Sequence, residues 1–253
     1  MHYLKAFSQL NYCRLYDAMR EGRTFYTIPN ERYNECDGLI LNAMMRTLKP
    51  RRIVEVGCGM SSCMMLDTSA LFLDSAVHCT LIDPSLHFVR SQVPAAHLRA
   101  HSLREQPVQQ VPTSVFSSLC ANDILFIDSS HMYGDGSDVF DIFHRILPLL
   151  AVGVHIHFHD IFASFSYPES WGDMARGWNE IDVLREFLTL RKGYDICFFT
   201  DMLTQTSAQT VTRIVPELQG KYGGSLWLRK TAMAGAQATS DALRLRCMEM
   251  GLR

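Results

Sequence analysis

From residue 51 onward the chain alternates short runs of β-branched and apolar residues with stretches of helical period, and this alternation most constrains its fold. The runs RRIVEVG (51–57), VHCTLID (77–83), HLRAHS (97–102), DILFIDSS (123–130), VGVHIHFHD (152–160), YDICFF (194–199) and GGSLWLRK (223–230) read as seven strands. SSCMMLDTSALFL (61–73), a short piece after Pro84, TSVFSSL (113–119), SDVFDIFHRILPLL (137–150) and WNEIDVLREFLTL (178–190) read as helices. Such alternation predicts an α/β fold with a doubly wound, seven-stranded, mostly parallel sheet. No helix is evident between the sixth and seventh runs, so those two are expected to pair antiparallel at one edge.

Before residue 51 the pattern is helical. Tyr12, Leu15, Tyr16 and Met19 recur at helical spacing, which predicts one helix over 8–21 that ends at Gly22. Residues 23–37 read as a loop and 38–48 as a second helix stopped before Pro50. The expected organisation is a helical cover or lid over 1–50, one sheet domain over 51–230 and a tail over 231–253, helical or mobile.

Charge and composition exclude several classes. Lys and Arg total 24 against 26 Asp and Glu, a net charge of −2, which lacks the basic excess of a nucleic-acid binder. No apolar run is long enough to cross a membrane; the longest, Ile146 to Ile156, is interrupted by Pro148 and His155. The N-terminus has no hydrophobic signal core, so a cytoplasmic location is expected. The eight cysteines include no CxxC pair, and Cys58, Cys63, Cys79 and Cys197 sit in apolar stretches, which reads as free buried thiols.

The first strand runs into Gly57-Cys58-Gly59 and then a helix start. Glycines there permit a tight turn and close approach of a ligand to the backbone, and Ser61 or Ser62 can cap the helix. The third glycine of the dinucleotide fingerprint is missing, because position 62 is Ser. Glu55, an acid inside an apolar strand, would repel a pyrophosphate but suits a cationic or hydroxyl-bearing ligand. Asp83, ending the second strand, is placed to accept from two ribose hydroxyls; the plainer alternative is that it caps the next helix.

EVGCG after the first strand, the acid ending the second, and then FIDSSH and HIHFHDIF in order resemble the class I S-adenosylmethionine-dependent methyltransferases over about residues 50–230. The resemblance implies a sheet with an antiparallel last hairpin and S-adenosylmethionine as cofactor. It also implies cofactor-binding roles for Glu55, Gly57, Cys58, Gly59, Ser61, Ser62, Asp83 and Asp128. In that family the turn lies against the methionine part of the cofactor. Asp83 would then hold the ribose, and Glu55 would orient the site near the amino group.

Asp128 ends the fourth strand with His131 three residues later, and His159 and Asp160 end the fifth. If these strands are neighbours, the four side chains gather where ligands bind, beyond the carboxyl ends of the strands. Two carboxylates with imidazole suit a divalent cation such as Mg²⁺ or Mn²⁺. The layout is similar to that of metal-dependent small-molecule O-methyltransferases of the sugar and catechol type. That likeness implies Asp128, His159 and Asp160 as metal ligands, and His131, with Asp128, as catalytic. His159 departs from the pattern, since relatives often carry an acid there. His155 and His157, on the same strand face, are expected to be core residues with satisfied partners.

The segment 161–180, with Phe162, Phe165, Tyr167, Trp171 and Trp178, is expected to form an acceptor pocket, a lid or simply its own packing. Phe25, Tyr26 and Tyr33 stand to close the other side, and Arg176 is a candidate anion contact. The expected function is transfer of a methyl group from S-adenosylmethionine to a hydroxyl of a small molecule, with neither nucleic acid nor membrane as partner. The alternatives are a metal-dependent hydrolase or oxygenase, or a non-catalytic S-adenosylmethionine-binding protein. The N-terminal helices and the tail are each able to serve a homo-oligomer contact.

Overall fold

The computed structural model describes residues 2–175, 177–190, 192–232 and 236–252. Three helices come first: α1 (His2–Phe7), α2 (Cys13–Arg20) and α3 (Glu35–Leu48). There follow β1 (Arg52–Val56), α4 (Met60–Phe72), β2 (His78–Asp83), α5 (His87–Gln92), α6 (Ala95–Leu98), β3 (Ser102–Glu105), α7 (Thr113–Ser117) and β4 (Ile124–Ile127). Then come α8 (Asp138–Asp141), β5 (His155–Phe158), α9 (Glu180–Leu190), β6 (Tyr194–Phe199), α10 (Thr200–Thr206), α11 (Ala208–Ile214), β7 (Leu226–Lys230) and α12 (Ala236–Glu249).

The seven strands form one sheet in the order β3-β2-β1-β4-β5-β7-β6. β1 to β5 are parallel, and β7 enters antiparallel between β5 and β6. The strand order reverses between β1 and β4, so the turn after β1 and the ends of β4 and β5 share one rim. One sheet face, with Ile53, Leu81, Phe126 and Trp227, is covered by α1, α3 and α4. The other, with Val54, Leu125, Ile127 and Ile156, is covered by residues of α8, α9 and α12. Leu4, Phe7, Leu15 and the run Leu39–Met45 thus share a core with α4, and Leu243 and Cys247 of α12 share one with α9.

Four local expectations are corrected. The helix expected over 8–21 runs only over Cys13–Arg20, because the Asn11 side chain accepts the backbone N–H of Cys13 at 2.8 Å and starts it there, and a separate helix precedes it at His2–Phe7. The third strand lies at Ser102–Glu105 rather than 97–102, since Pro94 opens a helical turn over Ala95–Leu98. The helix over 137–150 holds its α form only to Asp141 and continues as a wide π turn and a 3₁₀ turn, where Pro148 lacks the N–H an α-helix needs. Finally, β6 and β7 are joined through α10 and α11, which bury only Thr200, Asp201, Thr204 and Val211 and therefore carry no apolar stripe.

All eight cysteines are free; Cys63 and Cys79 are buried, while Cys58 and Cys197 are half-buried. Among the described residues no helix is long and apolar enough to cross a membrane.

Candidate functional site

β1 stops at Val56 because the chain must then turn sharply. Gly57 takes φ +82°, and its N–H donates to the Ile82 carbonyl at 2.9 Å. A Cβ here would collide with the carbonyl of Asp128, so the turn lies directly against the end of β4. Gly59 differs: its φ of −162° is extended backbone and a Cβ would meet open space. The Cys58 N–H donates to Oδ2 of Asp83 at 2.9 Å, and the Ser85 N–H donates to Oδ1 at 2.7 Å. Asp83 therefore both ties the turn to β2 and starts the segment that follows.

Glu55 lies beneath this turn, fully buried. Its two oxygens accept from the Ser61 hydroxyl at 2.6 Å and the Ser62 hydroxyl at 2.5 Å. Burial pushes its carboxyl up to about 8, against the two serine hydrogen bonds. Ser62 also accepts from the Gly59 N–H at 3.2 Å. The triad of Glu55, Ser61 and Ser62 thus braces the turn from below. Of its members Ser61 reaches a cavity wall, whereas Glu55 and Ser62 stand behind it.

Two adjoining cavities open on the rim. One, of about 410 Å³, runs between Val56, Ile82, Asp83 and Pro84 on one side and Val108 and Met132 on the other. The second, of about 490 Å³, is lined by Cys58, Gly59, Ser61, His131, Asp160, Tyr33, Trp178 and Arg32. Gly57, Asp83, Asp128, Ser129 and Ser130 form walls of both.

At the floor of the second cavity the pairing of β4 with β1 and β5 brings the expected acids and histidines together. Nε2 of His131 is 3.6 Å from Oδ1 of Asp128 and 3.6 Å from Oδ2 of Asp160. Nδ1 of His159 is 3.4 Å from Oδ1 of Asp128 and 3.3 Å from Oδ1 of Asp160. Ligand atoms of Asp128, His131 and Asp160 all lie within 4.8 Å of one another, a set that could hold a metal ion. This set contains His131 where sequence reasoning placed His159. The His159 ring is turned inward, with Nε2 3.4 Å from Oδ2 of Asp37 and its face 5.0 Å from the Tyr33 ring. Both His131 and Asp160 adopt left-handed backbone, φ +60° and +59°.

The electrostatics follow from this crowding. Burial opposes charge on His131, but the nearby carboxylates of Asp128 and Glu180 outweigh it and hold the ring up to about 10. For His159 burial is likewise outweighed, by Asp160 and Asp128, and its proton is held well above the usual range. Burial would raise Asp128, yet the two imidazoles hold it well below the ordinary carboxylate range. Asp160 is raised, by burial first, with His159 opposing.

His155 and His157 are buried as expected, but each is partnered at one nitrogen: Nε2 of His155 meets the Tyr3 hydroxyl at 2.8 Å and Nε2 of His157 meets the Ser225 hydroxyl at 3.0 Å, while Nδ1 of both has no hydrogen-bond partner among the described residues. Tyr26 and Tyr33 are core as well, the Tyr26 hydroxyl donating to the Tyr33 carbonyl at 2.7 Å. Tyr167, Trp171 and Trp178 pack on one another at centroid separations of 5.4–6.1 Å, and the cluster delivers Trp178 to the cavity, 4.5 Å from the His131 ring. Arg176 lies outside the described residues.

Two acids were not singled out from the sequence. Glu180, at the start of α9, accepts from Nδ1 of His131 at 2.7 Å and is 1 % exposed. Asp37, in the first turn of α3, is fully buried and accepts from the Ser225 hydroxyl at 2.5 Å, the Gly224 N–H at 3.2 Å and the Asn34 amide at 2.9 Å. The one signal in the sequence is position, since both sit where acids commonly favour a helix N-terminus.

Residues 54–161 match the model of a family described as a methyltransferase domain. An uncharacterized protein of Archaeoglobus fulgidus is 31 % identical over 103 residues, 40 % of this chain and 46 % of that protein, so the chain spans about half the length of this curated relative. Among solved structures, the O-methyltransferase TomG from Streptomyces achromogenes, involved in tomaymycin synthesis and solved in complex with SAM, is similar with a TM-score of 0.52. It is 16 % identical, with 87 % of this chain and 90 % of that one covered. The O-methyltransferase from Bacillus cereus in complex with SAH gives a TM-score of 0.52 at 13 % identity, covering 92 % of this chain and 91 % of that one. At these identities the likeness is one of fold: the Rossmann-like fold of methyltransferases.

Proposed function

We propose that this protein, with its Rossmann-like methyltransferase fold, moves the methyl group of S-adenosylmethionine to a hydroxyl of a small molecule. The observation that carries the reading is the join between the two cavities. A carboxylate-floored slot at Asp83 shares the walls of Gly57 and Asp128 with a second space that ends in Asp128, His131 and Asp160. The first cavity fits the adenosine part of the cofactor. Asp83 offers a carboxylate to the ribose hydroxyls, apolar Ile82, Pro84, Val108 and Met132 offer faces to the base, and Gly57 lets the turn close against Asp128 on the wall that the two cavities share. The cofactor supplies an electrophilic sulfonium methyl.

The chain's own part is alignment and proton removal. Trp178 and Tyr33 wall the acceptor space, and His131, with Nε2 facing that space, stands where the acceptor hydroxyl would be. As the acceptor oxygen gains the methyl carbon and the carbon–sulfur bond breaks, the sulfonium leaves as a neutral thioether and the hydroxyl proton passes to Nε2 of His131 in its neutral form, whose one ring hydrogen is on Nδ1. The donor set also fits a divalent cation. Asp128 and Asp160 converge, and the positive groups facing them are imidazoles. When bound, such a cation supplies Lewis acidity toward the acceptor oxygen and answers the negative charge that otherwise holds the His131 proton.

The test is calorimetric titration of S-adenosylmethionine into the wild type and Asp83→Ala, followed by Mn²⁺ titration. Wild-type binding that falls at least about tenfold in Asp83→Ala supports the assignment; absence of wild-type binding overturns it. The convergence of three ligand atoms favours a second reading, with His131 as a metal ligand. His131→Ala separates the two: turnover falls with Mn²⁺ affinity kept if the residue is the base, and Mn²⁺ affinity falls if it is a ligand.

A further inference from the structure

We propose that Glu180 is a positioning residue for His131: its carboxylate keeps Nδ1 protonated and turned away, so that Nε2 is the atom presented to Asp128, Asp160 and the cavity. The inference rests on the reading of His131 given above, but the orientation it concerns belongs to the folded chain itself.

A carboxylate only accepts, so the imidazole nitrogen 2.7 Å from Oε2 of Glu180 carries hydrogen. The opposite nitrogen is 3.6 Å from each of two carboxylates, beyond hydrogen-bond range, and is thus aimed without being tied. The start of α9 grips the same residue by its backbone. The N–H groups of Asn179 and Glu180 both donate to the His131 carbonyl, at 3.0 and 3.1 Å. The Asn179 side chain then holds Tyr133, accepting its N–H at 2.6 Å and donating to its carbonyl at 3.1 Å. Trp178, the residue before, packs on the ring at 4.5 Å. Residues 178–180 therefore fix ring, backbone and face together.

Burial makes a merely local purpose for Glu180 insufficient. A helix dipole does little to offset the burial of a whole carboxylate, and Glu180 is 1 % exposed and its Oε1 has no hydrogen-bond partner among the described residues. Burying a carboxylate is costly unless a specific partner repays it, and the partner here is Nδ1 of His131.

The experiment is proton NMR of the full-length protein, reading the hydrogen-bonded imidazole proton at low field, assigned by its loss in His131→Gln. The resonance is expected in the wild type, lost in Glu180→Ala and shifted upfield in Glu180→Gln, which retains an acceptor without the charge. In parallel, kcat with Mg²⁺ is expected to fall about 10²-fold in Glu180→Ala. The KM for S-adenosylmethionine should hold, and Glu180→Gln should recover at least about tenfold of the loss. A resonance unchanged in Glu180→Gln overturns the proposal even if Glu180→Ala does not fold, as does unchanged kcat in Glu180→Ala. The NMR arm reads the geometry whether or not the protein transfers methyl groups, so failure of the activity assay alone leaves the two readings distinguishable.

Discussion

Oδ2 of Asp37 lies 3.4 Å from Nε2 of His159. The N-terminal layer therefore reaches through the fold to the back of the acidic rim, and the same carboxylate also holds Ser225 and Gly224 ahead of β7. Asp37→Ala removes the acceptor of two buried donors, Ser225 and Gly224, and of the exposed Asn34 amide, and leaves His159 facing only the rim acids. The expected loss is about 3 kcal/mol, read as a lower midpoint in urea with an unchanged slope. A loss under ~0.5 kcal/mol would show that these contacts do not hold the layers together.

The two turn glycines are expected to answer differently to alanine. Gly57→Ala places a methyl into the Asp128 carbonyl at a positive φ, and should cost roughly 3 kcal/mol or more and abolish cofactor binding. Gly59→Ala adds a methyl to open space on extended backbone and should stay within about 1 kcal/mol. Thermal unfolding with and without S-adenosylmethionine reads both, and equal effects would contradict the turn geometry.

Glu55 gives stability a pH dependence. Its folded pKa, about 8, lies above that of a free Glu, ~4.3. Folding thus favours the protonated form, and that stabilisation is full below pH ~4.3 and lost as pH rises toward about 8. Glu55→Gln carries no proton to lose. Its unfolding free energy should vary less with pH between ~5 and 8 than that of the wild type, and parallel pH profiles would refute the assignment.

Trp178 is expected to act on the acceptor. Trp178→Ala opens the wall beside His131 and should raise the acceptor KM about tenfold, the equivalent of one ring contact. Affinity for S-adenosylmethionine, measured by calorimetry, should hold; if it falls in step, Trp178 belongs to the cofactor's side.

Much of this site was legible because it sits at strand ends. Asp83, Asp128, His131, His159 and Asp160 each follow an apolar run whose period identifies it as a strand, and parallel strands bring their carboxyl ends to one rim. Glu180 and Asp37 were not legible because nothing local distinguishes a buried acid in a helix's first turn from an exposed one. Their partners lie far away in sequence, on segments that only folding brings near. The direction of the His159 ring was hidden for the same reason, since Asp37 and Tyr33 set it from the N-terminal layer. The helices α10 and α11 escaped because so few of their side chains are buried.

The left-handed backbone at His131 and Asp160 has a consequence for how this chain can change. Both positions hold a non-glycine residue in a conformation that glycine adopts freely, and at Asp160 the carboxylate also faces the like charge of Asp128. At these two positions the rim is thus disfavoured by folding alone. A selection for heat resistance with no demand for activity should gather its gains there, at Asp160 above all, and each gain would trade away the site. Robustness and chemistry compete for the same few residues.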